Sequence, residues 1–158
     1  MAQRTIGLLL LVWLIALGAA LHAEPTKTII IKVYDGKSGH AVVPTGFQVR
    51  VDHLNTLHPD WVKQNDDGTA ELTIPADTSL VALQLAYDHS MELYVNCDAK
   101  RNEFGEVWYR IPDIMSKGMV MENGCGKAKV NEKFKTTAMP GELILFVRER
   151  NLKERAED

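Results

Sequence analysis

From residue 26 onward, apolar side chains recur at every second position rather than every third or fourth, the period of a strand with one buried face. In TKTIIIKVYD, Ile29, Ile31 and Val33 share one face, while Ile30 and Lys32 share the other. FQVRVDHL sets Phe47, Val49 and Val51 against Gln48, Arg50 and Asp52. TAELTIP sets Ala70, Leu72 and Ile74 against Thr69, Glu71 and Thr73. LVALQLAY sets Val81, Leu83, Leu85 and Tyr87 against Ala82, Gln84 and Ala86, and the alternation continues in MELYVNC, EVWYRI and ELILFVRER. Turn-forming residues separate these runs: DGKSGH, NDDG, DHS at 88–90 and PGE at 140–142. The pattern predicts about seven short strands in an all-β, antiparallel sandwich. IPDIMSKG departs from it: Pro112 suits a first helical position and Gly118 a C-terminal cap, so a helical turn or two is expected there. The polar NLKERAED is expected to fray or to form a short terminal helix.

The first residues follow a different pattern. MAQRT carries one cation, Arg4, and precedes an apolar run from Ile6 to Leu21, 16 residues long, then the small-residue stretch GAALHAE. This is the form of a secretory signal peptide, and the run is shorter than the about 20 residues of a spanning helix. The expected organisation is a signal peptide over 1–23, one sandwich domain over 24–150 and a polar tail over 151–158. Cutting after Ala23 removes Arg4, moving the formal charge from −3 to −4, and leaves no membrane span. A mildly acidic chain without clustered Lys and Arg is a poor match for nucleic acid. The protein is therefore expected to be exported, in the periplasm or outside the cell.

Export changes the reading of Cys97 and Cys125. An even cysteine count in an oxidising compartment favours a disulfide, with a metal pair or a reactive thiol as alternatives. No CxxC or HxxxH accompanies the two.

The tetrad Asn65, Asp66, Asp67 and Gly68 could grip a cation or turn a corner. If Gly68 is set at the sixth position of an EF-hand loop, Lys63 falls first and Ile74 twelfth, so both anchoring ends lack an oxygen ligand. Asp67-Gly68 between WVKQ and TAELTI instead reads as a hairpin in which Gly takes a positive φ.

These segments carry a family resemblance. VYDGKSGHAVVPTGFQVRV, NDDGTAELTIP and LVALQLAYD resemble the transthyretin-like, carboxypeptidase regulatory-like domains over about residues 28–88. The resemblance implies an Ig-like or transthyretin-like β-sandwich. The second half, YRIPDIMSKGMVMENGCGKAKV and MPGELILFVRERNLKER, is similar to small exported bacterial proteins in which a lone Cys, an I-x-x-x-G turn, N-x-C-G and PGE-x-x-x-F-V-R recur. Here those positions are Cys97, Ile114–Gly118, Asn123–Gly126 and Pro140–Arg148, and the similarity implies a bridge from Cys97 to Cys125.

One enzyme on this fold, the transthyretin-like hydroxyisourate hydrolase, resembles the chain around KVYDGKSGHA. That family carries a catalytic His where Lys32 stands, an Arg near Lys63 and a C-terminal Tyr-Arg-Gly-Ser, whereas this sequence closes on NLKERAED. A lysine is charged at neutral pH and is a poor general base unless burial lowers its pKa greatly.

Other candidate chemistry lies in loops. His53, His58 and Asp60 in DHLNTLHPD offer a metal two imidazoles and a carboxylate, although their spacing is tied to no rigid element. His89 and Ser90 in YDHS are neighbours, and neighbours on a strand point to opposite faces. Trp61, Trp108 and Tyr109 are candidates for an aromatic platform that holds a sugar, against the commoner role of such rings in a core. Two functions follow. The first is a noncatalytic exported module of the cell envelope, needing no cofactor, with a protein or polysaccharide partner. The alternative is a hydrolase or metal-dependent enzyme whose site is carried by loops that include His53, His58, Asp60, Asp66 and Asp67.

Overall fold

A computed structural model describes residues 24–86, 91–94, 106–121, 130–149 and 151–156. The described strands are β1 (Thr26–Asp35), β2 (Gly46–Val51), β3 (Val62–Gln64), β4 (Ala70–Pro75), β5 (Leu80–Ala86), β6 (Met91–Leu93), β7 (Trp108–Arg110), β8 (Met119–Met121) and β9 (Glu142–Glu149). Two α-helices accompany them, α1 (Ile111–Lys117) and α2 (Leu152–Ala156), with single 3₁₀ turns at Pro59–Trp61 and Glu132–Phe134. The larger sheet runs β3-β4-β1-β9, and β6 and β8 lie end to end along the far side of β9. The smaller sheet runs β2-β5-β7.

Period-two patterning places the two sheets against each other. Ile29, Ile31 and Val33 of β1, Leu72 and Ile74 of β4, and Leu143 and Leu145 of β9 join Val49, Val51, Val81, Leu83 and Tyr109 of the smaller sheet in one buried cluster. Each fully buried Ile or Leu contributes about 1.5–3 kcal/mol, so this shared core is the main stabilising term.

Three expectations need correction. The pairing is not purely antiparallel, because β9 runs parallel to both β1 and β8. Both faces of β9 are covered, and residues 142–147 are all buried. Near-continuous apolar runs such as LILFV are what a strand shielded on two sides requires. The second face of the larger sheet is closed by a smaller cluster of Tyr94, Val130, Ile144 and Phe146. The described strands also number nine rather than about seven, since β3 and β8, three residues each, lie in no longer alternating run of the sequence. Finally, β2 stops at Val51: Asp52 and His53 take left-handed φ values of 47° and 62°, and Leu54 N–H closes the turn on Val51 O at 2.8 Å.

The helix α1 follows its sequence signals. Pro112 sits in its first turn, Ile111 and Ile114 are buried, and Gly118 caps it with φ 72° while donating to Ile114 O at 2.9 Å. The tail forms the short helix α2, with Leu152 83% exposed. Cys97, Cys125, His89 and Ser90 lie outside the described residues.

Candidate functional site

The NDDG tetrad is the corner between β3 and β4. Gly68 has φ 84° and donates to Asn65 O at 3.1 Å, and Asn65 N–H reaches Thr69 O at 2.9 Å. Asp67 Oδ1 accepts from the Thr69 hydroxyl at 2.7 Å and the Thr69 amide at 2.9 Å. The hydroxyl bond, then the amide, hold its carboxyl below the ordinary range although desolvation opposes them.

This corner fixes the face that the hairpin presents. In β4, Ala70, Leu72 and Ile74 point inward, so Glu71 and Thr73 point outward. Antiparallel pairing sets Lys63 of β3 directly opposite Glu71. Just before β3, the 3₁₀ turn Pro59–Trp61 sets Asp60 in solvent and the Trp61 ring partly against the core. His58 stacks on Trp61 with ring centroids 3.8 Å apart and planes at 12°. These elements border an open groove of about 410 Å³ lined by Thr26, Asp60, Trp61, Lys63, Glu71, Thr73, Ile74 and Pro75. The Glu71 carboxylate is steadied by Asn65 Nδ2 at 3.3 Å.

Of the three aromatic candidates, only Trp61 lines this groove. Tyr109 is 1% exposed in the shared core, so its ring is not a platform. Trp108, on the outward face of β7, packs against His53 with centroids 4.5 Å apart. The metal candidates are likewise separated: His53 sits on one indole, His58 on another, and among the described residues no group of three His, Cys, Asp or Glu converges.

Lys32 is engaged in an ion pair within the fold. Its Nζ lies 2.5 Å from Glu142 Oε1, and Glu142 Oε2 accepts from Met139 N–H at 3.0 Å. The Lys32 hydrogen bond, then the Met139 amide, keep the Glu142 carboxyl below its ordinary range although burial opposes ionisation. An ammonium in such a pair has no lone pair with which to accept a proton. Across the smaller sheet, Arg50 and Glu106 form a second ion pair, with Glu106 buried.

Trp61 and Asp60 stand out in the sequence as binding candidates by residue type, whereas Lys63, Glu71, Thr73 and Thr26 do not. The outward half of TAELTIP is the signal present in the sequence for Glu71 and Thr73, and strand register, which the structure supplies, adds Lys63 opposite Glu71.

Searches against protein-family models, curated proteins and solved structures returned no match. Among the described residues no helix is long and apolar enough to cross a membrane.

Proposed function

We propose that the chain is an exported β-sandwich of the transthyretin-like, carboxypeptidase regulatory-like kind, acting noncatalytically as a binding module of the cell envelope. Its partner is a protein or a polysaccharide, met in the periplasm or outside the cell. The signal-peptide pattern of the first 23 residues supports export, and two sheets on a shared core support the sandwich.

The observation that carries the binding role is the groove beside β3. Lys32, Arg50 and Glu142 are committed to ion pairs within the fold, whereas Asp60 and Lys63 make none among the described residues and line the groove with Trp61. Binding sites take this form, an apolar wall with a few convergent polar groups.

The test is capture from envelope extracts by the immobilised protein, with bound polysaccharide and bound polypeptide both quantified, against a Trp61→Ala control. Capture that depends on Trp61 supports the reading. Capture indifferent to Trp61, together with a melting temperature raised several degrees by calcium or zinc and lowered by chelator, would replace it with a metal-dependent one. Export also carries a Cys97–Cys125 disulfide: intact mass after alkylation without reductant is expected to show no added alkyl groups, and two would refute the bridge.

A further inference from the structure

We infer that the groove beside β3 takes a neutral sugar ring of an oligosaccharide, with Trp61 as its apolar wall and Asp60, Lys63 and Glu71 as partners for its hydroxyls. This rests on the binding-module reading and adds the chemical class of what is bound.

A pyranose has an apolar C–H face and a rim of hydroxyls, each both donor and acceptor. It is matched by one aromatic plane beside several charged or hydroxylic ends. The groove supplies that set: the indole of Trp61, the carboxylates of Asp60 and Glu71, the ammonium of Lys63 and the hydroxyl of Thr73. A carboxylate accepts hydroxyl hydrogens through two oxygens, and an ammonium donates three. The volume of about 410 Å³ is that of a small-ligand site.

Placement favours a bound solute over a solvated face. Glu71 and Lys63 stand on paired strands in direct register, and His58, stacked on one face of the Trp61 indole, fixes its plane and leaves the rest of the ring to line the groove. A backbone already fixed by strand pairing leaves only side-chain rotamers to be ordered on binding, which matters for a ligand that contributes many weak contacts.

Charge narrows the class. Two carboxylates against one ammonium leave the lining with a formal charge of −1, so uronates and phosphorylated sugars are repelled where neutral sugars are not. A protein partner is the poorer fit: interface centres are depleted in charged residues and anchored in desolvated apolar pockets. Here three of the eight lining residues are charged and one is aromatic.

The experiment is an NMR titration of the purified protein that follows the Trp61 indole N–H, assigned by its loss in Trp61→Phe. The probes are cellopentaose, mannopentaose and chitopentaose, with pentagalacturonate as the charged counterpart. A saturable shift of the Trp61 signal with at least one neutral probe is expected, about tenfold tighter than with pentagalacturonate and weakened about tenfold in Trp61→Ala. Because Trp61 touches the core, Glu71→Gln and Lys63→Met on the outward face give a second reading, each expected to weaken binding about threefold or more without altering the melting curve. The assignment is overturned if no neutral probe shifts Trp61, if pentagalacturonate binds more tightly, or if the shifts fall on Trp108. Should the sugars fail while the protein still captures an envelope polypeptide through Trp61, the sugar class falls and the module reading stands. If both fail, both fall.

Discussion

Lys32 and Glu142 are 110 positions apart in the chain, yet their side chains meet on the outward face of the central strands. Glu142 is 7% exposed, so its charge depends on Lys32 and on the Met139 amide for solvation. Replacing one partner leaves the other charge stranded, and Lys32→Met is expected to cost about 2 kcal/mol in urea unfolding. Lys32→Met with Glu142→Gln should recover much of that loss, and a double variant as unstable as the single would show that packing, not charge, is at stake. Glycine makes a cleaner contrast. Gly118 and Gly141 have φ of 72° and 83°, but a Cβ at Gly118 would lie 2.3 Å from Met139 O while one at Gly141 meets nothing within 4 Å. Gly141→Ala therefore carries only the left-handed penalty of about 1–2 kcal/mol. Gly118→Ala adds a backbone clash, so its loss of stability should be clearly the larger; equal losses would remove the clash from the account.

At the scale of elements, the turn between β2 and the 3₁₀ segment does more than reverse the chain. Asp52 Oδ1 accepts from the Ser79 and Leu80 amides at 3.0 and 2.8 Å, joining the end of β2 to the start of β5. Asp52→Ala removes the one oxygen that accepts both bonds and places Ala in a left-handed conformation, an expected cost of about 1–3 kcal/mol. Asp52→Asn keeps an acceptor and a residue tolerant of that conformation, so thermal melting should show it losing less than half as much. This junction was hidden in the sequence because FQVRVDHL alternates through Asp52, and alternation cannot reveal that the backbone turns left-handed at that residue. The same limit explains the aromatic candidates. Trp108 and Tyr109 are adjacent, either parity buries a large ring, and only the pairing of Val81 with Tyr109 decides that Tyr109 faces inward. By contrast, β1, β4 and the NDDG corner were legible, since each combines clean alternation or a Gly at a left-handed position with polar flanks. The groove was half legible: Trp61 and Asp60 stood out by type, but Lys63, Glu71 and Thr73 read as an ordinary solvated face until register grouped them.

For the whole molecule, the first and last strands pair in parallel at the centre of the larger sheet, from Ile30 beside Glu142 to Asp35 beside Val147. Lys32–Glu142 bolts this pairing at one end, and at the other the Asp35 turn is held under the segment carrying Asn131, whose N–H donates to Gly36 O at 2.8 Å. Asp35 anchors that turn by accepting from Ser38 Oγ at 2.7 Å and from the Ser38 amide at 2.6 Å. Partial desolvation opposes its ionisation, but the Ser38 and Lys37 hydrogen bonds and the Lys37 charge outweigh it and leave the carboxyl below its ordinary range. Both ends of the central pairing thus depend on carboxylates whose folded pKa lies below the unfolded value of 3.8 for Asp and 4.5 for Glu. A group depressed on folding binds fewer protons in the native state, so its stabilisation is complete above the unfolded pKa and is lost as pH falls through the folded one. The melting temperature is therefore expected to hold level on acidification until pH approaches the unfolded carboxyl values, and to fall below them. Glu142→Gln, followed by circular dichroism across the same range, should start from a lower melting temperature at neutral pH and decline less steeply in acid. An unchanged acid slope in that variant would mean that the central strands are closed by packing alone, with the Lys32–Glu142 pair contributing nothing to their acid response.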